Sequence, residues 1–263
     1  MSLIKRFNNS KYHILATVLP LTLLVMAIKL VFHLIEFEPM PKELASFFPS
    51  VLTGIIFLLG FILAGVVTDF KESEKIPNEI ASSLYVIWQE GEIIYKTSRS
   101  EAAKKLLGKI KSFVPLLKKE FFTERNRAIF DVINSFSDDF AALDAQGVAT
   151  SFTGRLRNEQ LNLRKLLSRV VVIRDTDFAP SLYSTVRLIV ALFLIIYFLL
   201  HIEPFWGGML IVWFFTFVLF SIMYMIRDME DPFEYEDGET RPDEISLAVL
   251  DQFQEEVERS ASM

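Results

Sequence analysis

The sequence predicts an all-α membrane protein, with four transmembrane helices and a helical cytosolic insert between the second and the third. Three observations carry this. The 263 residues are 52% hydrophobic, with 25 Phe, yet 23% are charged, so the apolar content is gathered in blocks. Four blocks stand out, each close to the ~20 residues with which a helix crosses a bilayer. The polar stretch between the second and third carries apolar residues at steps of three, four and seven, the spacing of amphipathic helices, and no strand-period run.

The first block runs from about His13 to Ile35. It is too long for the apolar core of a signal peptide and no small-residue cleavage site follows it, so it reads as a membrane helix. Lys29 and His33, four residues apart, share a face near its outer end. A charged residue within a membrane helix is by default a functional hypothesis, but Lys29 lies about 9 Å from that end at 1.5 Å per residue, and its side chain is expected to snorkel to the outer interface. The second block runs from about Ser46 to Phe70, the third from Ser184 to Leu200 and the fourth from Phe205 to Ile226. Trp206 fits an interfacial anchor at the outer start of the fourth. Arg187, near the inner start of the third, is expected to meet headgroups or the acidic tail.

Lys and Arg set the orientation. The segment before His13 holds three, the stretch from Lys71 to Tyr183 eighteen and the tail after Ile226 three, whereas the first short loop has only Lys42 and the loop from His201 to Pro204 none. Basic flanks stay inside, which puts both termini and the central stretch in the cytoplasm of a multi-pass protein of the plasma or inner cell membrane. The chain then divides into residues 1–70, with the first two membrane helices; 71–183, a cytosolic helical domain; 184–226, the last two membrane helices; and 227–263, an acidic cytosolic tail.

In the central stretch, breaks are expected at Pro77, Thr97 to Ser100, Pro115, the Gly147 region and Pro180. Ile80, Leu84, Ile87 and Ile94, then Ile129, Ile133, Phe136, Phe140 and Leu143, then Leu156, Leu163, Leu167 and Val170 form the predicted apolar faces. Six Lys between Lys104 and Lys119, beside Leu106, Leu107, Ile110, Phe113 and Leu116, leave two readings. One is a helix lying on the membrane surface; the other is a helix packed on its neighbours with a solvated basic face.

Composition also excludes. Without Cys there is no disulfide, thiolate nucleophile or zinc-thiolate site. The three His, His13, His33 and His201, are spread along the chain and do not suggest a His-rich metal site. A net charge of −6 does not suggest nucleic-acid binding. No G-x-S-x-G, H-E-x-x-H or phosphate-binding glycine loop is present, so the reading is not an enzyme. From Asp228 to Met263 there are thirteen Asp and Glu against two Arg. Carboxylates so dense repel one another unless they face a cation or a basic surface. The tail reads either as a solvated extension or as a site for calcium, a hard cation held by oxygens.

The second block is the most informative. Thr53, Phe57, Phe61, Ala64 or Gly65, and Thr68 fall on one helical stripe, and Gly54, Gly60 and Gly65 are small enough to let neighbouring helices approach. Such a stripe either packs or faces lipid, or, in a ring of subunits, forms a hydrophobic constriction that gates by dewetting.

The run LGFILAGVVTDFKESEKIP, through Gly60, Phe61, Val66, Val67, Thr68, Glu74 and Pro77, resembles the end of the second transmembrane helix of bestrophins. Asp231, Pro232 and Phe233, followed by acidic residues, are similar to that family's Pro-Phe and acidic cluster, and the order of parts agrees over nearly the whole chain. The resemblance implies a homopentameric ion channel in the bilayer, its central pore lined by the second helix. It implies a neck at Phe57 and Phe61, with Thr53 where the family pattern has a large aliphatic, and an inner mouth formed by Ala64, Thr68, Asp69 and Glu72. A tryptophan-rich stretch of the family is replaced here by DFKESEK. By the same resemblance, calcium in an acidic clasp would fall near Glu236, Asp237 and Glu239, with Gly238 interrupting the run. The resemblance, more than the insert's slight net charge of +3, makes chloride the first expectation for the permeant ion; Asp69, Glu72 and Glu74 would favour monovalent cations if they faced the pore. The rival is a non-conducting membrane scaffold of the same fold.

Overall fold

The structure, a computed structural model, describes residues 13–123, 127–175, 180–230, 232–233, 235 and 244–262. Among these residues the chain forms helices α1 (His13–Leu34), α2 (Phe48–Ser73), α3 (Ile76–Ser98), α4 (Glu101–Thr123), α5 (Arg127–Ala145), α6 (Thr150–Asp175), α7 (Pro180–Leu199), α8 (Phe205–Glu230) and α9 (Ala248–Ser262). A 3-10 turn spans Lys42–Ser46, and the only β pairing among the described residues is an isolated bridge of Met40 with Leu200. The chain divides into two compact units, residues 1–70 with 177–231, and 71–176 with 232–263.

The first unit is a bundle of apolar helices. Ile14–Leu34, the apolar part of α2 and Phe205–Glu230 are long and apolar enough to cross a membrane, while the apolar stretch Ser184–Leu199 of α7 is shorter. The core of the unit is held by one stripe of α2, Leu52, Ile55, Leu59, Ile62 and Val66, at alternating steps of three and four. The same buried cluster takes in Val190, Phe193 and Tyr197 of α7 and Val212, Leu219 and Phe220 of α8. α1 packs mainly on α8. In hydrocarbon, apolar side chains gain nothing by hiding from the solvent, so dispersion packing and polar contacts hold such helices together. The outward faces are accordingly apolar, with Leu23, Leu24, Leu188 and Leu210 all more than half exposed.

The second unit follows the rule for water. Helices α3, α4, α5 and α6 pack in a closed cycle, each on the next and α6 back on α3, and α9 lies against α3 and α4. Every residue of the predicted apolar faces is buried, including Leu84, Ile133, Phe136, Phe140, Leu143 and Leu163 at 0% exposure. Each such side chain contributes about 1.5–3 kcal/mol on leaving water. The basic stretch of α4 takes the packed reading. Leu106, Ile110, Phe113 and Leu117 are covered, and Lys109 turns to Asp139 of α5 at 2.5 Å.

Four of the five expected breaks fall at helix ends. Pro77 sits in the first turn of α3, where its missing N–H is not needed. Arg99 ends α3 in the left-handed region with φ 51°, and Ser100 caps α4 through its Oγ, which accepts from the Ala103 N–H at 3.1 Å. Gly147, φ 78°, follows α5 at the C′ position where glycine is preferred. Pro180 opens α7. Pro115 is the correction: α4 runs through it. Pro115 and Lys111, whose carbonyl it leaves without an intrahelical donor, are both exposed, so the missing bond falls on the outer side of the helix while the buried face continues.

The described part of the tail is docked rather than a free extension. Phe233 is fully buried, 6.0 Å from the ring of Phe121. The Ile245 N–H donates to the Pro232 carbonyl at 3.1 Å, and the Tyr235 hydroxyl donates to the Ile245 carbonyl at 2.8 Å. Leu250, Phe253 and Val257 of α9 are buried, and Asp251 pairs with Lys118.

Candidate functional site

Helix α2 carries two faces of opposite fate. Its stripe from Leu52 to Val66 is inside the unit, and on the other side Phe57 is 77% and Phe61 72% exposed. Thr53, Ala64 and Thr68 are exposed on the same side, so all five stripe residues share one uncovered surface. Gly54 and Gly60 belong to it too: a Cβ added at either would meet nothing within 4 Å. Their small size therefore serves no approach between helices of this chain. The Thr53 hydroxyl donates to the Pro49 carbonyl and the Thr68 hydroxyl to the Ala64 carbonyl, both at 2.8 Å. Each threonine thus spends its proton on its own helix, which lowers the polarity the face presents.

Toward the end of α2, Asp69 and Glu72 are exposed, and Glu72 Oε2 lies 3.5 Å from Arg169 Nη2 of α6. The charge of Glu72 is thus partly countered. Glu236, Asp237 and Glu239 lie outside the described residues. The described ends on either side of them are drawn together by the Pro232–Ile245 and Tyr235–Ile245 bonds. No group of His, Asp or Glu among the described residues is arranged to hold a metal.

At the opposite end of the first unit, sequence reasoning missed a polar centre. Lys29 does not snorkel. It is fully buried, and its ammonium donates to Glu38 Oε1 at 2.8 Å, to the Leu200 carbonyl at 2.5 Å and to the Phe198 carbonyl at 3.3 Å. Three N–H donors meet three acceptors. The carbonyls come from the end of α7, where the last turn has no intrahelical donors and the helix dipole favours a cation. Glu38, with 5% of its side chain exposed, also meets His201 Nδ1 at 2.7 Å and His33 Nδ1 at 3.4 Å. His33 in turn stacks on Phe205, with centroids 3.7 Å apart. His201 Nε2 lies 3.1 Å from Glu203.

The backbone holds this centre in register, since Met40 N–H donates to the Leu199 carbonyl at 3.1 Å. Burial pushes the Glu38 carboxyl up, but the bond and charge of Lys29, with the two His, bring it below the ordinary carboxylate value. Bonds to Glu203 and Glu38 raise His201 above the ordinary imidazole. Both its ring nitrogens face carboxylates, a geometry that only the doubly protonated ring satisfies. The available signal was the pair Lys29 and His33 beside Glu38, all at the same end of one block, with His201 and Glu203 in the facing loop.

No family model matches the chain, and no curated protein matches it in sequence. Solved structures do. A bacterial bestrophin homologue from Klebsiella pneumoniae superposes with a TM-score of 0.76 at 14% identity, over 95% of this chain and 99% of that one. A variant of the same homologue gives 0.75 at 15% identity, over 97% and 100%. A structure of a membrane protein gives 0.75 at 14%, over 95% and 99%. The likeness spans both units, so the chain has, over nearly its whole length, the all-helical membrane fold of the bacterial bestrophin homologues.

Proposed function

We propose that this chain is the subunit of a homopentameric ion channel in which α2 of each copy lines the axis, with Phe57 and Phe61 as a hydrophobic neck and Thr53 beside it. The observation that carries the reading is the uncovered face of α2. Two phenylalanines one turn apart, flanked by glycines, stand out from a helix whose other face is buried. Around an axis, such rings make a constriction that water leaves readily, and Gly54 and Gly60 let neighbouring copies of α2 come close. A ring is also the closed assembly that makes a pore. Ala64, Thr68, Asp69 and Glu72 continue the path to an inner mouth, with both termini cytoplasmic in a multi-pass protein of the plasma or inner membrane. Chloride is the proposed ion; the pairing of Glu72 with Arg169 removes part of the case for cations.

The test is the reversal potential of purified protein in planar bilayers under a KCl gradient. Reversal near the chloride potential is expected. Reversal near the potassium potential would replace the ion, and silence from well-assembled protein would favour a non-conducting scaffold. Replacing Phe57 and Phe61 together by Ala should raise leak conductance, and unchanged currents would remove them from the neck. Glu236, Asp237 and Glu239 are proposed to bind calcium, and a current that ignores calcium would discard that role.

A further inference from the structure

The first unit contains a cavity of about 510 Å³ bordered by α1, α2, α7 and α8, within the roughly 300–1,000 Å³ of small-molecule sites. Its floor is apolar, formed by buried Leu59, Ile62, Val186 and Phe220, while two exposed arginines, Arg187 and Arg227, stand at its rim. Neither guanidinium has a hydrogen bond or ion pair with a described residue, whereas Arg155, Arg157 and Arg169 each hold a carboxylate.

We propose that this groove binds one anionic phospholipid, its phosphate between Arg187 and Arg227 and an acyl chain along the apolar floor. The proposal rests on the reading of α1, α2, α7 and α8 as membrane helices.

The positions of the two arginines fit it. Arg227 follows the last apolar residue of α8, and Arg187 precedes the unbroken apolar run Leu188–Leu199 of α7. That run covers about 18 Å at 1.5 Å per residue, well short of the ~30 Å of hydrocarbon. A guanidinium at its end lies below the headgroup level, where an ionised group needs a counter-charge or a polar cavity. A phosphate drawn into the groove supplies it, in the paired geometry that arginine favours, and basic pockets between membrane helices are a known form of lipid recognition. The apolar floor selects a lipid over a free phosphate.

The experiment is native mass spectrometry of the full chain from detergent, titrated with phosphatidylglycerol and, as the neutral control, phosphatidylcholine. One phosphatidylglycerol per subunit is expected, in preference to phosphatidylcholine. Arg187→Gln with Arg227→Gln should weaken it about 30-fold, roughly fivefold for each charge, and Lys111→Gln, exposed on α4, should not. Equal binding of both lipids, or phosphatidylglycerol binding that survives the double substitution, would overturn the proposal. If Arg187→Glu with Arg227→Glu lowers the oligomeric state while lipid counts stay constant, the groove belongs to a second copy and the proposal also falls. Silence in bilayers with selective lipid binding intact would remove the channel reading and leave this one standing.

Discussion

The two units of this chain treat the same apolar side chains in opposite ways. In the second, Phe136 and Phe140 are fully buried, and the large apolar residues described as exposed are only Ile93, Leu161 and Val172. In the first, Phe57 and Phe61 are more exposed than any of these, and α1, α7 and α8 show leucine and isoleucine on their outer surfaces. The difference follows from the solvent each was built for. Where water surrounds the helices, burial drives folding and the apolar face must point inward. Where hydrocarbon surrounds them, apolar residues are at ease on every side, and polar groups are what must be gathered. Lys29, Glu38, His33 and His201 meet for that reason.

The largest effect should come from breaking the water-side rule. Phe136→Ala is expected to cost about 3–5 kcal/mol, read as a lower melting temperature of purified protein, whereas Phe57→Ala should stay within about 0.5 kcal/mol. Equal losses would mean that the outer face of α2 is packed in the assembled protein as firmly as a core.

Lys29→Met tests the polar side of the comparison. It strands Glu38 and the carbonyls that end α7, at about 3–5 kcal/mol, and adding Glu38→Leu should recover much of the loss in a double-mutant thermal series. No recovery would mean that Lys29 acts through packing rather than charge.

A smaller, pH-dependent effect follows from His201. Its raised value means that its stabilisation is full below the ordinary imidazole range and fades as pH rises through the elevated one. Glu38, held low, keeps its contribution above the ordinary carboxylate range and loses it only as pH falls through the depressed value. The melting-temperature advantage of the parent over His201→Gln should therefore be present on the acid side of the ordinary imidazole range and shrink as pH rises above it. An advantage that is flat across this range would separate His201 from the charge of Glu38. The smallest effect is expected at the surface, where Lys118→Ala, which breaks the pair with Asp251, should cost no more than about 1 kcal/mol in the same melts.

The amphipathic helices of the second unit were legible residue by residue, from Ile80 to Val170, because in water a helix with one apolar face has one way to bury it. The apolar blocks were equally plain as helices, and the stripe of α2 could be drawn from its spacing. Which face of α2 stays open was a different matter, because Leu59 and Phe61 are both apolar and hydropathy cannot rank them. Packing decided it, burying Leu59 and Ile62 in the core of the first unit. Lys29 shows the same limit. Sequence spacing put it near a helix end and suggested an escape to the interface. Only the fold brings the carbonyls of Phe198 and Leu200 and the carboxylate of Glu38 within reach, from 169, 171 and nine residues away. One-dimensional pattern records what each residue prefers as a solvent, and the partner it meets across that distance depends on how the helices pack.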